Sequence, residues 1–187
     1  MHSARKAIFN TTALIAAAGY FVDIYDLVLF SIVRVASLRD LGVPDDQLLT
    51  EGVRLLNMQM FGMLLGGIIW GVLGDKRGRV SVLFGSIFLY SVANIANAFV
   101  TSTDIYAILR FIAGIGLAGE LGAAITLVSE TLPKETRGFG TSFVAGIGVS
   151  GAMLAAVVAQ WLDWKTAYIV GGVLGLALLG LRMSMLE

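Results

Sequence analysis

Gly71-Val72-Leu73-Gly74-Asp75-Lys76-Arg77-Gly78-Arg79-Val80 sets four charges and three glycines between two long apolar runs. No charge occurs from Met58 to Gly74, and none from Val80 to Thr103. A turn this short and this basic belongs at a membrane surface, joining two antiparallel spanning helices.

The composition agrees. The chain is 57% hydrophobic and 14% charged, against roughly 25% charged in an ordinary soluble domain. It reads as an all-α integral membrane protein. With no cysteine, disulfides, thiolate chemistry and thiolate metal sites drop out. The single histidine, His2, is terminal, so no histidine metal site or proton relay is expected, and no cofactor is called for. A formal charge of zero gives no reason to expect nucleic acid. No G-x-x-x-x-G-K-S/T loop is present, so nothing supports ATP hydrolysis or an enzyme. Arg5 and Lys6 precede an apolar stretch, and Ala16-Ala17-Ala18 mimics a signal cleavage site. Few apolar residues come before it and many follow, which makes the stretch a first spanning helix.

A bilayer core takes about 20 apolar residues per helix. Six segments reach or approach that length: Phe9–Val35, Val53–Gly74, Val80–Thr101, Asp104–Val128, Thr141–Leu162 and Thr166–Leu181. The runs are too long, and too free of alternation, for strands of a barrel. Of the connections only Ala36–Gly52 is long, and it carries Pro44 and four acids. Eight Lys and Arg lie on the side of the termini and the basic turn, four on the other. The positive-inside bias therefore places both ends, the basic turn and Ser129–Gly140 in the cytoplasm. Small residues at four-residue spacing, as in Gly62/Gly66 and Gly114/Ala118/Gly122, let helices pack closely in lipid. Two sets of three helices, each opening with an intramembrane charge, fit a 3+3 inverted-repeat bundle.

Ionisable groups within spanning helices are costly and face a partner or a cavity. Asp23 and Asp26 lie on the first segment, Arg110 and Glu120 on the fourth. At about 1.5 Å per residue, Asp26 and Arg110 come to similar depth, and Glu120 lies much nearer the cytoplasm. Pairing Asp26 with Arg110 offsets part of both desolvation costs. Two readings fit that pair: a structural ion pair, or a proton switch in which protonating the acid releases the arginine. Glu120 fits a cytoplasmic-side structural pair or a role in coupling. Asn94 and Asn97 share one face and can bond a solute or a neighbouring helix; Tyr20, Tyr25 and Trp70 can line a path or simply pack.

The turn opening this section resembles the signature of the loop between helices 2 and 3 in the major facilitator superfamily of transporters. That signature reads G-x-L-x-D-x-x-G-R, and Gly71, Asp75, Arg77, Gly78 and Arg79 fall within it. Glu130 and Arg137-Gly138 resemble the superfamily's E-x6-R-G at the helix 4–5 junction. There the resemblance implies a cytoplasmic gate, Glu130 and Arg137 on one side, Arg77 and Arg79 on the other. Asp23-Ile24-Tyr25-Asp26-Leu27 and Arg110 to Glu120 resemble motifs of the metabolite:proton symporter branch, with Ala118 replacing a glycine and Asp23 a glutamate. Helix 5 lacks the proline of the drug-antiporter pattern.

The resemblance implies residues 1–187 to be an N-terminal six-helix transmembrane domain, half of a twelve-helix fold, in a cytoplasmic (inner) membrane. The function expected is proton-coupled symport of a small organic solute by alternating access, driven by the proton gradient. Partners are the solute, protons, the lipid bilayer and a C-terminal six-helix half or second copy. Asp23, Asp26, Arg110 and Glu120 are the coupling candidates. A sugar-type porter, a uniporter, or a non-transporting six-helix assembly or sensor protein are the alternatives.

Overall fold

The computed structural model describes the backbone of residues 11–131 and 134–184, and their side chains except at 11–13, 15, 79–80, 121–131 and 135. Among the described residues six helices run α1 Thr11–Asp40, α2 Leu48–Arg77, α3 Arg79–Asn97, α4 Thr103–Thr131, α5 Lys134–Trp161 and α6 Trp164–Met183. No strand occurs among the described residues.

Several helices outrun their apolar segments. The first continues through Ala36–Asp40, and the second begins at Leu48 rather than Val53 and ends at Arg77 rather than Gly74. Hydropathy marks where side chains leave lipid, whereas the helix stops where its hydrogen-bond ladder stops. The third is shorter than its segment, ending at Asn97 instead of Thr101. Thirty-residue helices such as α1 and α2 are about 45 Å long, enough to leave a hydrocarbon core of about 30 Å at both ends.

The basic turn is thereby reduced to one residue. Gly78 has φ +85° and ψ 150°, and its N–H returns to the Gly74 carbonyl at 3.0 Å. That backbone region is essentially glycine-only, so the chain reverses between Arg77 and Arg79 because residue 78 has no Cβ. At the opposite end Asp163 caps α6, accepting from the Lys165 and Thr166 N–H groups at 3.2 Å each.

Among the described residues, α2, α5 from Thr136 and α6 are each long and apolar enough to cross a membrane, while α3 carries a shorter apolar run, Ser81–Asn97. The first and fourth helices are only partly described, and the charged residues Asp23, Asp26, Arg110 and Glu120 in their described parts are buried inside the bundle. Large apolar side chains face outward instead: Phe61, Leu64 and Ile68 on α2, Met153 and Val157 on α5. Such a surface is suited to lipid rather than water.

Packing carries the inverted repeat. The closest helix partners are α2 with α4 and α1 with α5, while α3 lies against α4 and α6. A Cβ placed on Gly62 of α2 would strike the Phe111 carbonyl and approach the Ile115 N–H of α4; one on Gly151 of α5 would strike the Phe21 carbonyl and approach the Tyr25 N–H of α1. One glycine thus meets residues i and i+4 of its partner in both halves. The two three-helix units share this contact although their sequences do not visibly repeat.

Candidate functional site

Two polar clusters lie inside the bundle, one above the other along α1. The outer one, farther from the basic turn at Gly78, is built around Arg110, which is fully buried. Its Nη2 donates to Asn94 Oδ1 at 2.6 Å, and its Nη1 stands 3.9 Å from Asp26 Oδ2. The guanidinium carbon lies 4.9 Å from the Tyr168 ring centre and 5.3 Å from that of Phe30, within cation–π range. Asp26 is equally buried, and neither of its oxygens has a hydrogen-bond donor within the described structure. At 3.9 Å the pair attracts without being locked by a hydrogen bond.

Aromatic side chains close the outer end over Arg110. The Tyr106 and Tyr168 hydroxyls are 2.6 Å apart, and Ser37 Oγ lies 3.2 Å from Tyr106. Tyr106 also stacks on Trp164 with ring centres 6.3 Å apart. Tyr25, next to Asp26, donates to the Ala167 carbonyl at 2.9 Å and fixes α1 against α6.

The inner cluster contains Glu120, Arg182, Asp23 and the backbone of Gly19. Glu120 Oε1 and Arg182 Nη2 form a 2.7 Å ion pair. Asp23 is fully buried one helical turn from Gly19, and neither of its oxygens has a donor among the described residues. Gly19 makes the room: a Cβ there would meet both the Glu120 carboxylate and Arg182 Nη2.

The other residues singled out in the sequence distribute differently. Asn94 joins the outer cluster, but Asn97 donates to its own helix at Ala93, 2.8 Å away. Tyr20 is half-buried, packed onto Gly148 of α5 beside Ala16, Ala17 and Val144, away from both clusters. Trp70 donates to the Ile115 carbonyl at 2.6 Å and ties α2 to α4. At the basic turn, Gly71, Asp75, Arg77 and Gly78 are exposed and Arg137 is half-buried. The side chains of Glu130 and Arg79 lie outside the described residues, and so does the pairing expected of them.

Sequence reasoning missed Arg182, Tyr106 and Tyr168. Arg182 had a signal, being the only charge between Lys165 and Glu187. The two tyrosines had none, because an aromatic in an apolar helix reads first as packing.

At the outer face an exposed belt joins the loops. Lys165 Nζ lies 3.0 Å from Asp40 Oδ2, and Trp164 Nε1 donates to the same oxygen at 3.2 Å. The Lys165 hydrogen bond and charge hold the Asp40 carboxyl below its usual range. Arg54 pairs with both Glu51 and Asp104.

The sequence profile of the Major Facilitator Superfamily matches residues 10–185. The chain is 29% identical over 185 residues to the sialic acid transporter NanX of Escherichia coli, covering 96% of this chain and 43% of that protein. It is 29% identical over 169 residues to the niacin transporter NiaP of Acinetobacter baylyi, covering 88% of this chain and 38% of that one. The chain therefore spans about two-fifths of the length of these curated relatives. The fold superposes on a solved structure of the proton:xylose symporter XylE bound to 6-bromo-6-deoxy-D-glucose with a TM-score of 0.81. That match has 19% identity and covers 92% of this chain and 44% of that one, a likeness of fold alone. A profile match over nearly the whole length, on a six-helix bundle of this architecture, places the chain in the Major Facilitator Superfamily of integral membrane transporters.

Proposed function

We propose that this chain forms the N-terminal six-helix half of a secondary transporter, which moves a small organic acid together with protons by alternating access across the cytoplasmic membrane. The basic turn and both ends face the cytoplasm in this reading. The observation that carries it is the Asp26–Arg110 pair. Two fully buried, opposite charges stand 3.9 Å apart, and the carboxylate has no hydrogen-bond donor among the described residues. A buried charge must be offset by a counter-ion or removed by a proton. Asp26 has both options within one site, and its choice decides whether Arg110 is held or released.

The solute class follows from the relatives. Sialic acid and niacin both carry a carboxylate, and the names of both transporters are matched over most of this chain. An arginine released when Asp26 is protonated is the natural partner for such a group. Proton and solute carboxylate then bind together, the proton on Asp26 and the solute carboxylate in its place at Arg110, which couples the two fluxes. Substrate binding would be completed by a second six-helix half. Asn94, already on Arg110, sets the guanidinium plane; Tyr168 and Phe30 keep its other face dry.

The test uses the protein expressed from its complete gene and reconstituted into liposomes, with niacin and sialic acid as the first probes. An inwardly directed pH gradient should drive accumulation in the native protein, and Asp26→Asn should lose gradient-driven accumulation while keeping counterflow exchange. Undiminished gradient-driven uptake by Asp26→Asn would remove Asp26 from proton coupling.

A further inference from the structure

Arg182 has no place in the outer pair, yet it sits against Asp23 and Glu120, the other buried acids among the described residues. The inner cluster is organised by α1. Gly19, Asp23 and Asp26 fall on one face of that helix at successive turns. Gly19 opens the space where Glu120 of α4 and Arg182 of α6 meet at 2.7 Å. Asp23, one turn further outward, points into the same interior with both oxygens unpartnered. The charged groups acting on it are Glu120, Arg182 and Asp26, and the buried Tyr90 hydroxyl of α3 is within their field. The other neighbours of α1 are α5, which has no charged residue from Gly138 to Trp161, and α2, which has none from Leu55 to Gly74.

Counting charge gives the next step. The two clusters hold three buried acids, Asp23, Asp26 and Glu120, and two buried guanidiniums, Arg110 and Arg182. Fully ionised, they leave one uncompensated negative charge in the interior, which is costly. One proton makes the set neutral. Asp26 has Arg110 and Glu120 has Arg182; among the described residues Asp23 has no counter-ion of its own.

We propose that Arg182 is a positioning residue shared by Glu120 and Asp23, and that one proton resides on whichever of these two carboxyls Arg182 does not hold. In the conformation seen here Arg182 holds Glu120, so the proton is on Asp23. When Arg182 turns to Asp23, the proton passes to Glu120, at the cytoplasmic end of the bundle. No bond other than O–H is made or broken: one carboxyl loses the proton and the other gains it. This rests on the proton-coupled reading above and extends it to a second, inner station. Gly19 is part of the device, since a side chain there would wedge the pair apart.

The test is an infrared titration of the purified protein from its complete gene, which reads protonated carboxyl C=O stretching whether or not transport occurs. A band present in the native protein should vanish in Asp23→Asn. In Glu120→Gln, which removes the carboxylate that holds Arg182 and so turns the guanidinium to Asp23, the same band should be lost at lower pH, its midpoint falling by at least about one unit, tenfold in proton concentration. Arg182→Lys, which keeps the cation, should hold the midpoint near native. If Glu120→Gln does not fold, Gly19→Ala, whose side chain wedges Arg182 off Glu120, provides the second perturbation and should move the band in the same sense. No Asp23-dependent band between about pH 5 and 8, or an unmoved midpoint in whichever of Glu120→Gln and Gly19→Ala folds, overturns the assignment. Should the band behave as described while uptake ignores a pH gradient, the proton-coupled reading falls and the shared-arginine assignment stands.

Discussion

Removing Arg110 alone leaves Asp26 as an uncompensated buried charge, and removing both does not. That asymmetry can be given a size. At 3.9 Å and an effective dielectric near 20, two unit charges attract by about 4 kcal/mol. Breaking a buried pair by deleting one member costs about 3–5 kcal/mol, whereas replacing both by neutral groups is often close to neutral. Arg110→Met additionally strips Asn94 Oδ1 of its 2.6 Å donor, worth about 1.5–3 kcal/mol for a bond to a charged group. Asp26→Asn leaves the Arg110–Asn94 bond in place. The single variants should therefore be strongly destabilised, Arg110→Met more than Asp26→Asn, and the double variant should be far less destabilised than their sum. Reversible unfolding in mixed detergent micelles, run as a double-mutant cycle, measures this. A coupling energy of about 2–4 kcal/mol is expected. A coupling below about 0.5 kcal/mol, the level of independent sites, would show that the two charges do not depend on each other and would refute the reasoning.

Three further outcomes follow from other parts of the bundle. Gly62→Ala and Gly151→Ala, which drive a methyl into a carbonyl of the neighbouring helix, should each destabilise by about 1–3 kcal/mol; Gly180→Ala, with nothing within 4 Å of its Cβ, should be neutral or better in the same unfolding assay. Gly78→Ala forces an L-residue to φ +85° and should cost about 1–3 kcal/mol, with increased proteolysis at the turn as the readout. Lys165→Met should lose stability in a pH-dependent way. Because Lys165 lowers the folded Asp40 carboxyl below its unfolded value, its contribution is present above about pH 4 and fades as pH falls through the folded value. The native-minus-variant difference in unfolding midpoint should shrink as pH is lowered toward 3.

How much of this was legible in the sequence depends on what each feature requires. The spans were legible because lipid leaves no choice: a run such as Met58–Gly74 with no charge has one place to go. The level of Asp26 and Arg110 along their helices could be counted at a fixed rise per residue, since each lies on one unbroken helix. Helix ends were less legible. Ala36–Asp40 and Leu48–Gly52 are polar and still helical, because wet backbone can stay in a helix as readily as leave it. Rotation about each helix axis was the weakest link. Nothing in the spacing of Asn94 and Asn97 says that one reaches across to Arg110 while the other bonds its own Ala93 carbonyl. The same gap hid Arg182, whose partner is 62 positions away in the chain on another helix, and hid the aromatic cover from Tyr106 and Tyr168.

The account turns on proton movement accompanying solute movement, and one measurement observes both. Liposomes containing the protein from its complete gene are held in weakly buffered medium with no imposed gradient, and niacin or sialic acid is added outside while external pH is recorded. Coupled entry of proton and solute predicts prompt external alkalinisation that matches solute uptake, is abolished in Asp26→Asn and disappears with a protonophore. Uptake of either solute at the native rate without any alkalinisation would contradict the account.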